Sequence, residues 1–215
     1  MIRSVAFGGL ALLILPFAYY AVSFGQAGLL DALPEPHYLM SDVTVANLAI
    51  FSHMILGGVI SFLVPFQLIT ALRKRYPIVH RWSGRIIATA AIVTAFGGLT
   101  YIAMRGTIGG TPMDAGFALY GGLTLLAAVR TWQLARRRDF ARHRIWALRL
   151  FWLAIASWLY RVQYGLWYLA TDGLWSTPQF TGAFDLFMNV GFYLPHLIGL
   201  EVYLRSRHKD TKPVV

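Results

Sequence analysis

The chain has no cysteine, which excludes both a disulfide framework and a thiolate-bound metal. Charge is scarce too. Only 13% of its 215 residues are Asp, Glu, Lys or Arg, about half the share found in soluble domains. Acidic residues are the rarest, 9 against 19 Lys and Arg. The sequence also lacks G-x-S-x-G, a Walker loop, H-E-x-x-H and C-x-x-C, so hydrolase and nucleotide-driven readings have no support. What remains is grease. Hydrophobic residues make up 57% of the chain and mean hydropathy is +0.57, values of a protein dissolved in lipid.

Six apolar segments are long enough to cross the hydrocarbon, which takes about 20 residues each. They fall at roughly 5–24, 45–72, 80–104, 115–135, 145–170 and 183–204. The first follows Met-Ile-Arg-Ser and exceeds the 7–15 residues of a signal h-region, so it reads as a retained helix. The basic residues come in short runs between these segments: "RKR" at 73–75, "RRR" at 136–138 and "RSRHKDTK" at 205–212. With both termini inside, one side collects every Lys and Arg except Arg105 and Arg161, while Asp31, Glu35, Asp42, Asp114 and Asp172 fall outside. That is the positive-inside pattern, and it disfavours nucleic acid as the partner of a chain of net charge +10. The expectation is a single all-α, six-helix multi-pass protein of the bacterial inner membrane, with a basic cytoplasmic tail at 205–215. Trp82 and Trp146 suit an inner aromatic belt, and Trp167, Tyr168 and Trp175 an outer one. His37, in the 25–44 loop, and His208, in the tail, carry no signal. No low-complexity segment is visible.

Histidine and arginine concentrate at two inner helix mouths. "HRWSGR" starts the third helix with His80, Arg81 and Arg85, and "HRIWALR" starts the fifth with His143, Arg144 and Arg149. Each leads into a helix out, a short loop and a helix back, a weak repeat. Arginines there snorkel to lipid phosphates, but imidazoles add little charge at neutral pH and need another reason. His80 and Gly84, four residues apart, share a face and leave room for a flat group. At equal depth on two helices, His80 and His143 suit the axial ligands of a b-type haem, with the arginines on its propionates or on a quinone carbonyl.

Other polar residues lie within the spans. His53, followed by Gly57 and Gly58, is a third ligand candidate or a hydrogen-bonded core histidine. His196 follows Pro195 near Glu201. At 1.5 Å per residue, His53 stands roughly 30 Å from Arg73 and His196 about 14 Å from Arg205, so these two differ in depth and pair poorly. Arg161, in the outer half of the fifth helix, costs at least about 2.5 kcal/mol unpaired. Asp185 is its expected partner, with Gln163 and Tyr164 nearby. Glu201 is placed to neutralise Arg85 or Arg149.

The order of these pieces resembles the bacterial DUF2306 membrane proteins: "FSHMILGG…PFQ", "HRWSGR", a "GG" turn followed by "GF", "RHRIWALR", a lone arginine, then "LPHLIGLE". The resemblance spans about residues 45–205. It implies a multi-helix membrane fold and carries over His53, Gln67, His80, Arg81, Gly84, Arg85, His143, Arg144, Arg149, Arg161 and Glu201. Where that pattern has Pro-Asn, this chain has Pro195-His196. The layout is loosely similar to small membrane cytochromes b. The expected function is an inner-face His/Arg site for haem b or quinone in transmembrane electron transfer, as a membrane oxidoreductase with a redox partner. The alternatives are a small transporter or a protein binding lipid headgroups, in which Arg161 and Asp185 would line a path, and an assembly factor without catalysis.

Overall fold

The computed structural model describes residues 2–33, 39–40 and 42–209, so Glu35, His37 and the end of the basic tail lie outside the described residues. Every regular element among the described residues is a helix: α1 (Ile2–Leu29), α2 (Thr44–Gln67), α3 (Thr70–Arg75), α4 (Pro77–Arg105), α5 (Gly110–Arg136), α6 (Phe140–Thr171), α7 (Ala183–Gly191) and α8 (Leu194–Lys209). Six spans among them are long and apolar enough to cross a membrane, the sixth being α7 and α8 taken together. The helices run past the expected limits at their polar ends. Asp139 starts α6 early by accepting the Arg142 amide at 3.1 Å, and Pro77 starts α4 by fixing φ where no amide donor is needed.

Two expected helices are interrupted. The second stops at Gln67, just past Pro65, and the chain resumes as the short basic α3. The sixth breaks at Phe192–Tyr193. Pro195 has no amide to give the Gly191 carbonyl, and the Tyr193 amide turns instead to Val190 O at 3.4 Å.

Contacts between helices fix an up-and-down bundle. His53 on α2 meets Thr94 on α4 and Gln67 meets Ser83, so α2 and α4 are antiparallel. Thr131–His143 and Tyr120–Leu153 do the same for α5 and α6, and Arg149–Glu201 ties α6 to α8. Arg73–Arg85, Arg130–Arg149 and Arg205 therefore share one end of the bundle, and Arg105 lies at the other. Helix α2 packs on α1, α4 and α6, while α5 packs on α4, α6 and α7.

Small residues let these helices approach. A Cβ on Gly97 of α4 would stand 2.7 Å from the Ala49 carbonyl of α2, and one on Gly98 would stand 3.0 Å from the His53 ring. Close small-residue packing is a main source of helix association in lipid. The core within is aliphatic around Ile14, Ile60, Ile87 and Leu153. Toward α7 it becomes aromatic, with Phe117, Tyr120 and Tyr160 around Phe192 at 5.1–5.4 Å between centroids. Gly97→Val should therefore lower stability by about 1–3 kcal/mol in thermal unfolding in detergent, because a backbone carbonyl cannot yield. Gly122→Ala, with nothing within 4 Å of its Cβ, should be neutral or stabilising by up to about 1 kcal/mol.

Candidate functional site

At the basic end, His80 and His143 are each the fourth residue of their helix, α4 and α6. Both are half-buried, and they lie within electrostatic reach of each other, with Arg73 also close to His80. The His143 Nδ1 stands 3.0 Å from the Thr131 carbonyl of α5. A carbonyl only accepts, so Nδ1 carries the proton and Nε2 keeps its lone pair in the neutral ring. Beneath His80, the nearest atom to a Cβ on Gly84 would be Gln67 Oε1 at 3.5 Å. Gln67 itself donates to Ser83 Oγ at 2.6 Å, closing the α2–α4 seam.

The arginines grouped with these histidines divide. Arg81, Arg85 and Arg144 are exposed around the pair, with Arg85 over the Trp82 ring at 4.8 Å. Arg149 turns away. Its Nε and Nη2 hold the Glu201 carboxylate at 2.6 and 3.0 Å, and its guanidinium lies 4.4 Å from the Trp146 ring centroid. Of the two partners expected for Glu201, Arg149 is the one found. This ion pair lies at the basic end of a groove of about 460 Å³ between α5, α6 and α8, walled mainly by aliphatic side chains.

His53 sits deeper. Its Nδ1 donates to the Thr94 carbonyl at 2.8 Å, and Arg161 is within electrostatic reach. His53 thus makes the contact of a core histidine. His196 is not beside it: its ring packs 5.3 Å from that of Trp152, tilted by 30°, with the Phe192 carbonyl one turn back as its hydrogen-bond partner.

The expected Arg161–Asp185 ion pair is not formed. Asp185 is 0% exposed and its carboxylate is filled by four donors. Tyr164 and Ser176 hydroxyls each donate to Oδ1 at 2.7 Å, and the Thr177 and Gly182 amides donate to Oδ2 at 2.9 and 3.0 Å. Asp185 therefore caps α7 and folds the 172–182 loop onto it. Arg161 donates to the Ser157 carbonyl at 3.1 Å and lies over Phe17 of α1 at 4.8 Å. A carboxylate whose two oxygens already accept four hydrogen bonds and a cation leaning on an aromatic face explain why they do not meet.

Three features escaped sequence reasoning. The groove behind Arg149 depends on which faces α5 and α8 turn to α6, which no single helix reveals. The break in the sixth span was signalled by Pro195 alone. Beside that break, Asn189 is 4% exposed with neither side-chain polar atom hydrogen-bonded, and nothing in its local sequence marks it. Among the described residues, no cluster of three His, Asp or Glu is placed to hold a metal ion without a macrocycle.

Fold and polar sites together define a multi-pass helical membrane protein. The family model described as predicted membrane protein (DUF2306) matches residues 50–198, more than half of the chain, and the chain belongs to that family. No curated protein and no solved structure matches it.

In a double-mutant cycle, Asp185→Ala should cost about 2–4 kcal/mol because it orphans four donors. Its coupling to Arg161→Gln should stay below about 0.5 kcal/mol. A coupling above 1 kcal/mol would restore the ion pair.

Proposed function

We propose that the basic end of this bundle binds a b-type haem between His80 and His143, and that the protein carries electrons in the membrane. One observation carries the reading. Two imidazoles on different helices each stand fourth in their helix at the basic end, near enough to feel each other's charge, and the Nδ1 of one faces a main-chain carbonyl. A backbone acceptor on Nδ1 is the usual device for orienting an imidazole ligand and raising its basicity. The residues around the pair fit the group. Gly84 adds no side chain beside His80, with the Gln67 amide as its neighbour, and Arg81, Arg85 and Arg144 suit propionates at the water boundary.

In this reading the haem supplies one-electron redox chemistry. The chain's own contribution is to orient the His143 ring through the Thr131 carbonyl of α5 and to keep the basic end positive. His53 and His196 serve as packing and hydrogen-bonding residues, not as a second ligand pair. By the positive-inside rule, the basic end faces the cytoplasm of a bacterial cell. Arg161 and Asp185 line no path in this account, because each is engaged elsewhere.

The test is an absorbance spectrum of detergent-purified protein produced with ample haem, oxidised and then reduced with dithionite. The expected result is a Soret band that shifts and sharpens on reduction, lost in His80→Ala and in His143→Ala and kept in His196→Ala. A featureless spectrum from well-folded protein contradicts the reading. So does haem retained in both of the first two variants.

A further inference from the structure

The groove between α5, α6 and α8 is not lined by either histidine of the pair, and it is polar at one end and apolar along its length. Its polar end is built from Arg149, Glu201 and Arg205. From Glu201 back to Leu194 is about 10 Å along α8, at 1.5 Å per residue. Along that length the wall is Leu123 and Leu126 of α5, Leu153 of α6, and Leu194, Leu197 and Ile198 of α8. Its volume of about 460 Å³ is within the usual range for small-molecule sites, roughly 300–1,000 Å³. The polar end faces the aqueous boundary and the leucines run toward the bilayer centre, the same direction as a lipid in the adjacent leaflet.

The charge balance selects the occupant. Glu201 satisfies Arg149 through Nε and Nη2, which leaves Nη1 of Arg149 and the whole guanidinium of exposed Arg205 as donors at the mouth. Two cations against one carboxylate leave one net positive charge, enough to hold one phosphodiester. The Trp146 ring under Arg149 holds that guanidinium at the boundary.

We infer that this groove is a binding site for one anionic glycerophospholipid, its phosphate on Arg205 and Arg149 and one acyl chain along the leucine wall. Glu201 acts as a positioning residue that aims Arg149 and lowers the local charge to a single unit. A zwitterionic lipid, whose headgroup cation meets the same arginines, is held less well.

The test uses the full chain, delipidated in detergent and titrated with phosphatidylglycerol or phosphatidylcholine of identical chains, read by native mass spectrometry and thermal unfolding. One phosphatidylglycerol should be retained and should raise the melting temperature, and phosphatidylcholine should do neither. Arg205→Gln should weaken retention roughly tenfold, the scale of one lost charge-assisted hydrogen bond. Arg137→Gln, an exposed arginine at the same end but outside the groove, should leave it unchanged. Equal retention of the two lipids overturns the inference. So does an equal loss in the Arg137 and Arg205 variants, which would mean a diffuse basic surface. Neither outcome bears on the haem spectrum.

Discussion

Inside hydrocarbon, a helix offers its neighbours almost nothing polar except carbonyl oxygens, each with a lone pair left over from its own ladder. This bundle is assembled on that lone pair. His53 reaches the Thr94 carbonyl, Tyr120 that of Leu153, His143 that of Thr131 and Tyr193 that of Gly116. The Ser61 hydroxyl stands 2.6 Å from the Ala154 carbonyl. Four of these contacts join two helices, the Tyr193 one ties the α7–α8 break to α5, and each fixes rotation as well as spacing. Interhelical hydrogen bonds of this kind contribute about 0.6–2 kcal/mol apiece, and their directionality selects one register where greasy faces alone would slide.

The same rule separates the charged groups. A buried carboxylate must find donors nearby, and Asp185 finds four within its own loop, α6 and the start of α7. Arg149 and Glu201 satisfy each other side by side, near the water boundary, where a half-exposed pair carries a smaller desolvation penalty than a buried one. Once these demands are met, the polar surface left for ligands is small. Among the described residues it includes the His143 Nε2, the exposed arginines near it, and the mouth of the groove at Arg205.

Much of this was legible in the sequence. Long apolar runs separated by basic loops define six spans whatever the details, because the hydrocarbon thickness sets their length. The place of His80 and His143 at two helix starts was legible from their positions in the chain. Of the two arginines expected for Glu201, the structure pairs it with Arg149. Depth, however, is all that spacing supplies. Arg161 and Asp185 sit near the same level, yet they face different neighbours, and that azimuth depends on how the side chains of six helices interlock. The interruption at Phe192–Tyr193 was equally hidden, since a proline in a membrane helix kinks some spans and breaks others according to the packing around it. The groove needed three helix faces at once.

The account depends on imidazole protons being committed to main-chain carbonyls. Nitrogen-15 NMR of histidine-labelled protein at neutral pH reads this directly. It predicts that His53 and His143, assigned by His→Gln variants, both carry a proton on Nδ1. Either ring with a bare Nδ1 would contradict the account, because a bare Nδ1 lone pair cannot face a carbonyl oxygen.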